Sequence, residues 1–289
     1  MTRRPKQIVI DKDVFVRLLG KEFGAFRSFC GRCNLLLADT LLYECATTRR
    51  QNPERLLDKC EELLKSGASY CSMSRRFVEW EAWRCRPYPP VLADQELTDS
   101  VRHGEVSVSS LLRSDVLEHQ RDSRTRAAQA MLAEFSTDCM VKLRSCVGDV
   151  RGELKQIPNT PSKRIGLWLS RIDRMDIHAM ALEALPSGWI RVKGEFCLSP
   201  AWVFWQHLRL VMVDIYEYCY IRETGDPRDK WAEHDLQDIE YALLLSRADG
   251  IITTDKVLIR LVRAAFPEKD VFSSLDEVLP SYRWDGAGA

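Results

Sequence analysis

Three short runs limit what this chain can fold into: QIVID at 7–11, NLLLAD at 34–39 and GIITTD at 250–255. Each is apolar through its middle and then reaches an aspartate. A strand with one face in water alternates apolar and polar residues, whereas a strand covered on both faces reads as a continuous apolar run. The runs therefore predict buried parallel strands, and a parallel sheet needs helices on both of its faces.

The stretches beside the runs supply such helices. Apolar residues recur at helical spacing over 14–29, 40–48 and 53–66, the last opening on Pro53 and stopping before Gly67. Asp39 or Thr40 is placed to cap the helix that follows NLLLAD. ASYCSM at 68–73 predicts a third strand, 236–248 and 256–265 predict helices, and KDVFS at 269–273 a last short strand. Strand and helix thus alternate at both ends of the chain. Between them, 73–230 is mostly helical by periodicity, with long stretches at 123–147, 162–185 and 200–222 and breaks at RPYPP, IPNTPSK and LPSGWIRVKG. The expected architecture is one parallel α/β sheet flanked by helices. It is built from residues 1–72 and 231–289 and interrupted by a helical insertion or cap over 73–230.

Composition narrows the function. Of 289 residues, 45% are hydrophobic, ordinary for a globular protein, and the charges balance to a net of zero. A globally basic surface for nucleic acid is thereby excluded, and only local patches remain. The most apolar long segment, 199–221, contains Gln206, His207, Arg209, Asp214 and Glu217, which argue for a buried helix and against a membrane span. Ten cysteines, with an N-terminus that runs into a strand and not into an apolar leader, fit the reducing cytoplasm. Cys30 and Cys33 have CxxC spacing, but no second pair completes a zinc site and a strand follows them, so local packing is the expectation.

The acids then fall into place. Ligands of a parallel sheet bind at the edge formed by the C-terminal ends of its strands. Asp11 and Asp255 follow two of the predicted strands, Glu44 lies one turn into the helix after NLLLAD, and Asp238 lies near the start of the helix before GIITT. Carboxylates gathered at one edge repel unless a cation offsets them, and hard oxygen ligands suit Mg²⁺ or Mn²⁺. Taken singly, each acid reads more readily as a helix cap or a solvated turn; four at matching positions reverse that.

IVIDKDVF, LLLADTLLYE, HDLQDIEY and ADGIITTDK, in that order, resemble the four successive motifs of PIN-domain nucleases. The resemblance covers roughly 6–72 and 232–279. It implies metal-dependent hydrolysis of phosphodiesters, RNA being favoured over DNA as substrate, with Asp11, Glu44, Asp238 and Asp255 as catalytic metal ligands. Glu44 serves either as ligand or as a base acting through water. Asp13, Asp235 and Thr253 would orient those ligands. Where the family has Asn, Ser or Thr beside its first aspartate, this chain has Lys12 and Asp13; Lys12 can pair with the carboxylates or with a phosphate.

Two other classes fit parts of the pattern. The strand with Asp11 and Asp13 has the DxD of haloacid-dehalogenase-type phosphatases, although a later acidic pair is lacking and Glu44 then has no role. A PIN-like module without activity, engaging a partner through its helical insertion, is the third reading; the same insertion could serve a homodimer. SRRFVEWEAWRCRPYPP at 74–90 interleaves arginines with aromatic rings, a mixture suited to base stacking, but Phe77, Trp80 and Trp83 recur every three residues and read as a core stripe. The five histidines form no ligand pair at useful spacing; His234 alone lies close to the proposed acids.

Overall fold

The computed structural model describes residues 5–18, 33–48, 51–72, 74–111, 137–147, 157–179, 197–225 and 233–281, without the side chains of 18, 74, 75, 111, 147, 233–236 and 279–281. Five strands, β1 (Gln7–Ile10), β2 (Asn34–Ala38), β3 (Ser69–Cys71), β4 (Gly250–Ile252) and β5 (Asp270–Phe272), form one sheet in the order β3-β2-β1-β4-β5. Every pairing is parallel. β1, β3 and β4 are buried at every position, as continuous apolar runs require.

The helices that cover the sheet follow the strands closely. α1 (Lys12–Leu18) starts one residue after β1, and α2 (Asp39–Thr47) starts directly after β2. α3 (Pro53–Lys65) is capped by Asn52, whose side chain accepts from the amides of Glu54 and Arg55. The capping expected of Asp39 or Thr40 is not found. Ala38 occupies the N-cap of α2 with no side-chain bond. Asp39, already inside the helix, accepts instead from the Tyr70 hydroxyl at 2.9 Å.

Residues 73–230 contribute α4 (Ser74–Arg84), α5 (Gln95–Arg102), α6 (Val108–Leu111), α7 (Cys139–Val147), α8 (Pro161–Ile172) and α9 (Val203–Thr224) among the described residues. They share one continuous apolar core with the sheet: Phe77, Val101, Leu143, Trp168 and Leu210 belong to the same cluster as Ile8, Leu36 and Ile251. α10 (Glu233–Leu244), α11 (Lys256–Ala265) and α12 (Leu275–Ser281) complete the chain. The helix expected over 162–185 ends at Ile172, and most of 123–147, together with LPSGWIRVKG and Cys30, lies outside the described residues. Among the described residues no helix is long and apolar enough to cross a membrane.

Two carboxylates, one of them fully buried, tie the helical part together. Glu81 of α4, with no exposed side-chain surface, accepts from the amides of Val203 and Phe204 at 2.8 Å each and from that of Tyr88 at 2.7 Å. It thereby satisfies the first free N–H groups of α9, which has no side-chain cap of its own. Arg247 lies 3.7 Å from the same carboxylate. Further along α9, Glu217 is held by the guanidinium of Arg164 and by the Trp168 indole at 3.0 Å.

The stripe expected of Phe77, Trp80 and Trp83 turns out of the core. Phe77 is buried, Trp80 half-buried and Trp83 63% exposed. Each three-residue step falls about 60° short of a full turn of an α-helix, so the third ring faces roughly 120° away from the first.

Gly250 pairs with Asp270 across β4 and β5, and a Cβ there would stand 2.8 Å from the Asp270 carbonyl oxygen. Gly250→Ala is expected to force these strands apart and cost about 1–3 kcal/mol, the usual range for overpacking, read as a lower urea midpoint. Glu81→Ala should cost more, about 3–5 kcal/mol, because it strands buried amides and leaves Arg247 without its carboxylate. A Glu81→Ala midpoint equal to that of the parent would remove the carboxylate from its structural role.

Candidate active site

The strand order fixes where a site can form. The chain leaves β1 toward β2 and β3, then returns to the other side of β1 at β4, so the order reverses between β1 and β4. In open parallel sheets the crevice at such a reversal, beyond the C-terminal strand ends, is where ligands bind. Ile10 pairs with Ile252 there, and the next residues on the two strands are Asp11 and Thr253.

Asp11 is 7% exposed, and its amide donates to the Ile252 carbonyl at 3.0 Å. Its Oδ2 accepts from the Thr253 hydroxyl at 2.7 Å, and the Asp13 amide also supports the carboxylate. Loss of solvent raises the Asp11 pKa above 3.8; the Thr253 bond pulls the other way, and the neighbouring charges of Asp13 and Asp255 raise it further. Asp255 caps α11, its Oδ1 accepting from the amides of Val257 and Leu258, while its own amide donates to the Thr253 hydroxyl at 3.0 Å. One threonine hydroxyl thus bridges the two aspartates.

Glu44 joins from another side. It is half-buried on α2 and accepts at Oε2 from the Tyr241 hydroxyl at 2.7 Å. Tyr241 is buried on α10, and its phenol is pushed well above its ordinary range by lost solvent and by the charges of Glu44 and Asp11. It therefore remains a neutral donor between two acids. Asp238 stands half-buried one turn before Tyr241 on the same helix. The helix begins at Glu233, so Asp238 occupies its second turn. Asp13 is exposed on α1, and the side chain of Asp235 lies outside the described residues, as does that of His234.

Sequence reasoning missed the parts that four residues play at this edge. Tyr241 read only as part of an apolar helical stripe. Asp39 and Tyr70 form a second acid–phenol pair at the ends of β2 and β3. Arg17 of α1, exposed, donates to the Thr254 hydroxyl and to the Asp13 carbonyl beside the aspartates. Lys12 is half-buried and forms no ion pair with the carboxylates among the described residues. Neither Asp11 nor Asp255 is paired with a Lys or Arg there, whereas Asp249 at the opposite edge is held by Lys6 and by the Gln7 amide.

A divalent ion suits the donor chemistry: a desolvated carboxylate beside like charges with no cation to offset them. Among the described residues, no group of three or more His, Cys, Asp or Glu side chains is arranged to hold one. Glu44 is bound to Tyr241, and Asp255 has committed one oxygen to its helix. Compared with protein-family models, with curated proteins and with solved structures, the chain matches none.

The raised Asp11 pKa has a definite sign. The folded state holds this proton more tightly than the unfolded chain, so the associated stability is full below pH 3.8 and lost as pH rises through the raised value. Asp11→Asn keeps an acceptor for Thr253 and removes the charge. In the presence of a chelator it is expected to melt a few degrees higher than the parent at pH 7–8, with the gap closing toward pH 4. An Asn variant that melts lower across this range would show the carboxylate to be stabilising as it stands.

Proposed function

We propose that this chain is a PIN-like, divalent-metal-dependent nuclease that hydrolyses phosphodiesters, with RNA favoured over DNA as substrate. One observation carries the reading: a buried aspartate at the strand-order reversal, hydrogen-bonded to Thr253 and within the field of Asp13 and Asp255, with the Tyr241–Glu44 pair close enough for Tyr241 to feel its charge. Acids in such positions are what the resemblance to PIN-domain motifs requires, and a purely structural role offers no reason to bury Asp11 near two like charges.

The protein's own groups divide the work. Asp11 and Asp255 would hold Mg²⁺ or Mn²⁺ with Asp238, and Glu44 would join them as ligand or as the base that takes a proton from water. A bound divalent ion lowers the pKa of its water and offsets charge on the scissile phosphate. The Thr253 hydroxyl orients the Asp11 carboxylate and holds the backbone of Asp255, whose carboxylate is fixed by the amides of Val257 and Leu258. Tyr241 orients Glu44. Lys12 and Arg17, the second of them bonded to the Thr254 hydroxyl beside Asp255, would hold the flanking phosphates.

A module without activity is the second reading, favoured by the engagement of Glu44 and Asp255 with their own neighbours. Melting curves and cleavage assays separate the two. Millimolar Mn²⁺ should raise the melting temperature by mass action on the folded state, and end-labelled single-stranded RNA should be cut only when the metal is present. Asp238→Asn should lower metal affinity and cleavage together by about 10²-fold, while Asp276→Asn, exposed on α12, cuts normally. Hydrolysis of a phosphomonoester without diester cleavage would assign the site to a phosphatase instead. An unchanged melting temperature with no cleavage would leave the interaction module.

A further inference from the structure

α4 carries two opposed faces. Phe77, Val78, Glu81 and Ala82 are buried against the core, while Arg76, Glu79, Trp80, Trp83 and Arg84 line an open concavity of about 700 Å³ on the other side. A large ring in water is costly, and an exposed tryptophan beside a half-buried one marks a surface that something covers. Trp83 stacks on no ring or cation among the described residues. The Arg86 guanidinium sits 5.2 Å above the Trp80 ring, so a cation is already held on this face.

Charge selects the occupant. Arg76, Arg84 and Arg86 are exposed here, and of the two nearby glutamates Glu81 is turned inside and consumed by the amides of α9. In a chain of zero net charge this is a local cationic excess interleaved with rings. α4 starts just beyond the C-terminal end of β3, and Arg76 in its first turn lies within the field of Tyr70. Trp83 stands two turns beyond Arg76, roughly 10 Å along the helix, past Glu81 and its contact with Arg247.

We propose that the outer face of α4 binds unpaired nucleotides of a single-stranded nucleic acid, with Trp83 stacking on a base and Arg76, Arg84 and Arg86 contacting phosphates. Duplexes hide the faces of their bases, so only unpaired nucleotides can use the tryptophan. The proposal takes its choice of polymer from the nuclease reading, and its test is arranged not to depend on cleavage.

Binding of a fluorescein-labelled U₁₂ oligonucleotide to the full chain is followed by anisotropy in EDTA, where no metal-dependent cutting occurs. Affinity should fall with rising salt, and Trp83→Ala should weaken it about tenfold. Trp83→Phe should restore most of the loss, which a merely electrostatic surface would not require. Arg84→Ala should reduce the slope of log affinity against log salt by about one. Circular dichroism checks folding, which an exposed residue should not disturb. Absence of binding, or Trp83→Ala bound as tightly as the parent, overturns the proposal, as does equal affinity for a matched duplex. Trp83-dependent binding in a protein that never cuts RNA with Mn²⁺ upholds this site while the nuclease reading fails. Cleavage with Trp83-independent binding does the reverse.

Discussion

The pairing of β1 with β4 is the constraint on which the site rests. It joins residues 242 positions apart, so that the Thr253 hydroxyl reaches Asp11. Closing so long a loop costs entropy, but that cost grows only with the logarithm of loop length. The return comes from burying both strands completely and from ladder bonds such as that of the Asp11 amide to Ile252. A one-residue slip of this register would set Asp11 opposite another residue and separate it from its hydroxyl, because side chains change face with every step along a strand. The geometry of the acids is thus a property of the sheet and not of a loop.

Glu81 does for the helical part what that pairing does for the sheet. A long helix inside a protein needs partners for its first amides, and α9 finds them in a carboxylate from a helix far earlier in the chain. Desolvation raises the pKa of that carboxylate, while the three amides and Arg247 pull it down. The balance makes the junction of α4, α9 and the turn before β4 specific, since no apolar side chain could answer these donors. Residues 73–230 are therefore bound to the sheet through polar bonds as well as through a shared apolar core.

The strands were legible because a run buried on both faces needs no information from elsewhere in the chain. β1, β2, β4 and β5 lie where the apolar runs place them, and even three-residue β3 follows its short cluster. The edge positions of Asp11 and Asp255 came from the same logic. Tyr241 was illegible because its partner Glu44 is 197 positions away and a tyrosine in an apolar stripe carries no mark of its bond. Asp39 misled for a similar reason: an aspartate at a helix start suits a cap, and only the folded sheet brings Tyr70 to compete for it. Trp83 misled by arithmetic, since a spacing of three drifts around a helix whose turn is 3.6 residues.

The order of the strands also bears on how the protein is made. Synthesis proceeds from β1 through β3 long before β4 exists, an interval on the order of tens of seconds at ordinary elongation rates. Throughout it, the flank of β1 that will receive β4 has its backbone donors and acceptors unmatched. An open, apolar strand edge is a template for other chains. The nascent polypeptide therefore carries its most adhesive element from the outset and can shield it only when the last quarter of the sequence arrives, which makes this the step at which a ribosome-bound chaperone would matter most.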